Sequence, residues 1–279
     1  MYTAPMASIK TIWDFQSKCH EGVPILMFHK VGRCPAAANM PRMYVSPAHL
    51  NKLMDLFHRK ALRSISISDA LEGNTRRKNC FVISFDDAYE GALIHALPIM
   101  KKHGFSAIVF IVADLLGQRN NWCHGEDTTM EPLMTRTQVE EWLSAGFEIG
   151  AHTLTHPRLT SIPLLKAKNE IAGSKRKLED LFGVPVRHFA YPWGDYNSAV
   201  MDLVEEAGFR TACSCDPGVV TNGVNRFRLP RFDTDERSVR SFSTYKLAYL
   251  SDDFKNLAAR GMRAAGSSLE AARLKFLTW

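Results

Sequence analysis

Residues 81–112 read FVISFDDAYEGALIHALPIMKKHGFSAIVFIV. An apolar, strand-sized run, Phe81–Phe85, ends at two adjacent carboxylates, Asp86 and Asp87, and a stretch with helical period follows over Gly91–His103. Gly104 can take the left-handed cap conformation that stops a helix, and a second apolar run opens at Ala107. Strand, helix and strand with no hairpin signal between them is the pattern of two parallel strands joined by a helical crossover.

The same unit recurs on both sides. Further apolar runs lie at Ile25–Phe28, Ala107–Val112, Phe147–Ala151, Phe189–Tyr191 and Thr211–Ser214. Helix-period stretches lie at His49–His58, Thr137–Ala145, Leu164–Phe182 and Ser198–Ala207, three of them closed by Gly146, Gly183 and Gly208. Alternation sustained over roughly 200 residues implies an α/β barrel or an open doubly wound sheet. Polar groups follow the runs: His29 the first, Asp86 and Asp87 the second, His152 and His156 the Phe147 run, and Pro192-Trp193-Gly194 the next. In parallel α/β architectures functional groups gather at the carboxyl ends of strands, so these residues are expected to share one pocket.

The composition of the 279 residues, 46% hydrophobic and 23% charged, is that of a globular protein and excludes disordered and collagen-like chains. The apolar runs fall well short of the roughly 20 residues of a membrane span. Met1–Lys18 has no continuous apolar core of a signal peptide, so the expected location is the cytoplasm. The six scattered cysteines are expected to be free thiols, and Cys213 and Cys215 to be small strand residues sharing one face. The net charge is +6, and Lys255, Arg260, Arg263, Arg273 and Lys275 against Glu270 place about +4 of it in the last 25 residues. There Ser267-x-x-Glu270 precedes Leu269, Ala272, Phe276 and Leu277 at helical spacing, a helix expected to rest on its own domain, with peripheral membrane contact as the alternative. The expected organisation is an N-terminal extension (1–22), one α/β domain (23–250) and a basic helical appendage (251–279). No nucleic-acid partner is expected of the domain, and a nucleic-acid or membrane-surface module built on the tail is a rival reading.

Two adjacent carboxylates resist joint ionisation unless a cation is near or one holds a proton. Alone, such a pair is more often a helix cap with a solvated neighbour. The odds change at Phe147-Glu-Ile-Gly-Ala-His-Thr-Leu-Thr-His-Pro157. His152 and His156, four apart, are expected to meet on one side of a helical turn and reach one ion. With a strand-end carboxylate they supply two nitrogens and one oxygen, leaving positions open as hydrolytic zinc sites do, and the set also suits ferrous iron.

From about Val23 to Asp233 the chain resembles the polysaccharide deacetylases, the NodB-homology group of carbohydrate esterases. The resemblance is carried by Pro24-Ile-Leu-Met-Phe-His-Lys-Val31, Ser84-Phe-Asp-Asp87, the 147–157 stretch and Phe189-Ala-Tyr-Pro-Trp-Gly194. It implies an irregular (β/α) barrel of about seven parallel strands. It further implies that Asp87, His152 and His156 hold a divalent metal, zinc first and cobalt, manganese or ferrous iron as alternatives, and that Asp86 is the catalytic base. An oxyanion-stabilising N–H is implied in the Tyr191-Pro192-Trp193 turn, on Trp193. The implied activity is metal-dependent removal of an N-acetyl group from an amino sugar in an oligosaccharide, polysaccharide or glycolipid precursor.

The chain departs from the common family pattern in three places. No histidine follows His188, so the proton donor is assigned to His29, in Phe28-His29-Lys30-Val31. Ala190 stands where many relatives carry an arginine that orients the base, and Arg231 is the candidate to supply that guanidinium. Ala88 replaces the usual glycine after the aspartates, which is tolerated on right-handed backbone and strained on left-handed. Trp122, Trp193 and Tyr196 are candidates for stacking on sugar faces. An amidase acting on a non-sugar C–N bond and a catalytically silent carbohydrate-binding barrel remain alternatives.

Overall fold

The computed structural model describes residues 12–72, 78–122 and 129–236. Its strands are β1 (Val23–Phe28), β2 (Lys30–Val31), β3 (Tyr44–Val45), β4 (Arg63–Ser64), β5 (Cys80–Phe85), β6 (Ile108–Ile111), β7 (Glu148–Ala151), β8 (His188–Ala190), β9 (Thr211–Cys213), β10 (Val219–Val220) and β11 (Phe232–Asp233). The helices are α1 (Ile12–Glu21), α2 (Pro47–Arg59), α3 (Ile67–Leu71), α4 (Leu97–His103), α5 (Arg136–Ser144), α6 (Leu164–Phe182) and α7 (Ser198–Glu206).

Strands β1, β5, β6, β7, β8 and β9 lie side by side and all run parallel. On the other side of β1, β11 pairs in parallel (Leu26 with Phe232, Met27 with Asp233), while β10 pairs antiparallel with its start. Leu229 forms a parallel bridge to Cys213, so the stretch Leu229–Asp233 runs from β9 across to β1 and curls the sheet into a partial barrel. These seven parallel strands bear out the barrel class implied by the sequence resemblance. Every residue of β1, β5 and β6 is buried, as expected of strands covered on both faces by a barrel interior and a layer of helices.

The helices start and stop where side chains satisfy their ends. Ser46 accepts from the His49 N–H ahead of Pro47 in α2, Thr135 and Gln138 form a capping box on α5, and Asn197 accepts from the Val200 N–H of α7. α6 ends at Gly183 in the left-handed conformation (φ 66°). The expected helix over Gly91–His103 is instead a π-helical turn, Ala92–Ala96, followed by α4. Pro98, which has no N–H, sits at the start of α4 and breaks the regular ladder. Gly91 is required at the entry, because a Cβ there would lie 2.1 Å from the Val31 carbonyl oxygen.

The sequence reading left 1–22 as an extension, and within it α1 enters the main core through Ile12, Phe15 and Cys19. Phe15 stacks on Phe57 (centroids 4.7 Å apart) and meets Phe81 edge-on (5.8 Å). The chain divides between Ser243 and Thr244 into two units; every described residue belongs to the first, and the expected appendage over 251–279 lies outside the described residues. Among the described residues no helix is long and apolar enough to cross a membrane, and the cysteines Cys19, Cys34, Cys80, Cys213 and Cys215 are free thiols. β9 ends at Cys213, which places Cys215 beyond the strand.

Candidate metal centre and active site

β5 and β7 flank β6, and the residues just past their carboxyl ends converge. Asp87, His152 and His156 are all buried, with one potential ligand atom from each lying within 4.8 Å of the others. His152 Nε2 is 3.4 Å and His156 Nε2 3.2 Å from the same Asp87 Oδ1. The His152 Nδ1–H donates to the Ala190 carbonyl at 2.8 Å; since a carbonyl only accepts, this fixes a proton on Nδ1 and turns Nε2 towards the carboxylate.

Asp87 Oδ1 and His156 Nδ1 are buried without a hydrogen-bond partner among the described residues. Burial pushes the His156 imidazole below its usual range despite the pull of Asp87 and so favours the neutral form. Burial by itself would raise the Asp87 carboxyl, but the His156 and His152 imidazoles hold it well below its usual range. One buried carboxylate oxygen and two imidazole nitrogens converging on it form a donor set that fits a divalent cation.

The histidines do not meet through a helical turn as expected. Thr153 (φ 66°) and His156 (φ 64°) are both left-handed, and the His156 N–H donates to Thr153 Oγ1 at 2.9 Å. The 152–156 link is therefore a tight non-helical turn, held by side chains rather than by an i to i−4 ladder.

Asp86 points to a different partner. Arg231 Nη1 donates to its Oδ1 at 2.7 Å and Nη2 to its Oδ2 at 2.8 Å, a two-pronged pair in which both side chains are buried. Arg231 Nε donates to the Ser214 carbonyl at 2.9 Å, so the fork is fixed from behind. Burial raises the Asp86 carboxyl, but Arg231, with His152 and His29, brings it below its usual range and keeps it ionised. Arg231 approaches from the Leu229–Asp233 stretch that bridges β9 and β1, whereas Ala190 on β8 offers its carbonyl to His152.

His29 follows β1 at the same rim, half-buried, and lies close enough to Asp86 and Asp233 to lower both carboxyls. Burial raises the Asp233 carboxyl above its usual range, with Asp235 adding to the effect. Asp233 was not singled out from the sequence, although it stands two residues after Arg231, where strand alternation returns a side chain to the same face. In the Tyr191-Pro192-Trp193 turn, the Tyr191 N–H donates to the Cys213 carbonyl at 3.2 Å and proline has none, so the candidate oxyanion donor is the Trp193 N–H. Trp193 holds left-handed backbone (φ 64°).

Two tryptophans flank His156. Trp122 stacks on its ring with centroids 4.3 Å apart, and Trp193 meets it edge-on at 5.2 Å. Arg158, passed over in the sequence, lies 4.4 Å over the Trp193 ring. Tyr196 stacks on Tyr191 (5.1 Å) and donates its hydroxyl to Asp216, which places it beside the turn. The Lys30 ammonium donates to Thr129 Oγ1 at 3.0 Å and lies 5.0 Å from the Tyr44 and Tyr89 rings.

Backbone strain concentrates at this rim. Among the described residues seven non-glycines have positive φ, and five of them are Asp87 (69°), Ala88 (57°), Thr153, His156 and Trp193. Ala88 thus falls in the strained of its two alternatives, since a Cβ on left-handed backbone costs roughly 1–2 kcal/mol.

Three comparisons place this geometry among known proteins. The YxkH protein of Bacillus subtilis (strain 168), named for the polysaccharide deacetylases, is 24% identical over 213 residues, 75% of this chain and 70% of that protein. The poly-beta-1,6-N-acetyl-D-glucosamine N-deacetylase of Staphylococcus aureus (strain MSSA476) is 27% identical over 158 residues, 53% of this chain and 52% of that protein, so the chain spans about half its length. The Streptococcus pyogenes deacetylase PplD, solved in complex with acetate, shares the fold with a TM-score of 0.65 at 20% identity, over 77% of this chain and 92% of that one. The family model for polysaccharide deacetylase matches residues 73–212, from ahead of the strand that delivers Asp86 and Asp87 into β9. By that match the chain belongs to the polysaccharide deacetylase family.

Proposed function

We propose that the chain is a metal-dependent hydrolase that removes the N-acetyl group from an N-acetylated amino sugar within an oligosaccharide, polysaccharide or glycolipid precursor. The observation that carries this reading is the division of labour between adjacent aspartates: Asp87 faces two imidazoles, and Asp86 is held ionised by Arg231. A divalent ion held by Asp87, His152 and His156, zinc first, supplies Lewis acidity at the amide carbonyl and acidifies water.

The chain's own residues account for the rest. Asp86 accepts a proton from the attacking water, and the Arg231 fork fixes the direction in which it does so. The Trp193 N–H donates to the oxygen that gains charge as the carbonyl becomes tetrahedral. His29, across the rim, gives a proton to the nitrogen as the C–N bond breaks, releasing acetate and a free amine. Trp122 and Trp193 offer flat apolar rings for sugar C–H faces. The name of the Staphylococcus aureus relative supports an N-acetylglucosamine polymer as the substrate class.

The test is acetate release from N-acetylglucosamine oligomers with and without chelator, combined with metal analysis of two variants. Asp86→Asn is expected to lose about 10²–10⁴-fold in turnover while retaining metal, and His152→Ala to lose the metal itself. Turnover that survives both chelation and Asp86→Asn would refute the reading.

A further inference from the structure

Glu170 is a charged side chain on the apolar stripe of α6, buried with Ala167, Ile171, Ser174 and Leu178, and the chemistry above makes no use of it. A carboxylate enters such a stripe only when it is fully hydrogen-bonded. All its partners lie in one short segment. Oε2 accepts from the N–H groups of Leu154 and Thr155, both at 2.9 Å, and Oε1 accepts from the Thr155 hydroxyl at 2.7 Å. That segment joins His152 to His156.

The other side of the link is tied as well. The Ala113 N–H donates to the Thr153 carbonyl and the Asp114 N–H to the Leu154 carbonyl, each at 3.0 Å. One turn further along α6, Gly173 lets Leu154 lie against the helix, since a Cβ there would come within 2.8 Å of Leu154 Cδ1. The link contains left-handed Thr153 and ends at left-handed His156, and no helical ladder fixes it. Beyond the internal bond from the His156 N–H to Thr153 Oγ1, its shape therefore depends on what grips it from outside.

We infer that Glu170 is a positioning residue for the metal centre: by clamping the link it sets the spacing and aim of the two imidazoles, and through them the affinity for a divalent cation. The inference rests on the metal-dependent reading above. Groups that orient metal ligands typically account for about 10–100-fold in metal affinity.

Two variants separate reach from charge. Glu170→Gln keeps an oxygen for the two N–H groups, and its amide can donate to the Thr155 hydroxyl; Glu170→Asp keeps the charge but is one methylene short. Zinc affinity of the full chain is measured by competition with a chromophoric chelator, and the ligand field by the visible spectrum of the Co²⁺-loaded protein. Glu170→Gln is expected to stay within about threefold of the parent, and Glu170→Asp to bind about 10–100-fold more weakly with altered Co²⁺ bands. A merely structural role would lower the melting temperature of metal-free Glu170→Asp and leave zinc affinity unmoved, which would overturn the inference. Equal weakening in both variants would overturn it too, by assigning the effect to charge. A parent chain that binds neither ion sinks the metal reading and this inference together, whereas parent binding with unmoved variants sinks the inference alone.

Discussion

Asp86 and Arg231 form a buried, two-pronged ion pair next to a second, ionised aspartate, and each partner is costly without the other. Arg231→Ala leaves Asp86 buried and uncompensated, so it is expected to cost about 3–5 kcal/mol in denaturant unfolding and to abolish acetate release. Arg231→Lys restores charge without the fork and is expected to recover stability better than turnover, because only the fork aims the carboxylate. The convergence of Asp87, His152 and His156 was legible because its signal is local: an aspartate pair closing a strand, and two histidines four apart. The Asp86–Arg231 contact was not, since 145 positions separate the partners and the pairing of β11 with β1 brings them together. Nor does residue type announce a left-handed alanine, so the strain at Ala88 became visible only in the backbone.

At the scale of elements, β8 carries a buried group of another kind at its start, the end opposite to the candidate site. His188 Nδ1 lies 2.8 Å from Thr211 Oγ1 and Nε2 3.3 Å from Ser68 Oγ. Burial, with the cations of Arg187, Arg210 and Lys175, pushes its imidazole down from 6.5 to about 4. Between those values the unfolded chain binds the proton and the folded one does not, so its contribution to stability is complete above pH 6.5 and is lost as pH falls towards 4. The span corresponds to about 3 kcal/mol, and the fall in unfolding free energy between pH 7 and pH 4 is expected to be shallower by about that amount in His188→Gln. The six strand runs and four of the helical stretches match to within two residues, and α6 to both its ends, Leu164 and Phe182, whereas the stretch Gly91–His103 joins a π-turn to α4 and α1 was not read. β2, β3, β10 and β11 are two residues each and too short for any period to register. Glu170 had a signal that went unused: an acid at a position where Ala167, Ile171 and Leu178 mark the inward stripe.

For the whole molecule, the Asp87 oxygen buried without a hydrogen-bond partner among the described residues would, on the proposed reading, make the folded chain a better cation ligand than the unfolded one. Zinc at about 100 times its dissociation constant is expected to add about 2.7 kcal/mol to stability, read as a rise in melting temperature that chelator reverses and His156→Ala removes. The family match ends at residue 212, before Arg231, and begins after His29. The matched stretch thus carries Asp86, Asp87, His152 and His156, while Arg231 and His29, the proposed brace and proton donor, lie in the flanking chain. Because Arg231 rides on the Leu229–Asp233 stretch between β9 and β1, the brace arrives only when that seam is stitched. On the proposed reading, a chain with that seam open would keep Asp87 beside the two histidines yet leave Asp86 unaimed, so that closing the barrel and arming the base would be one event.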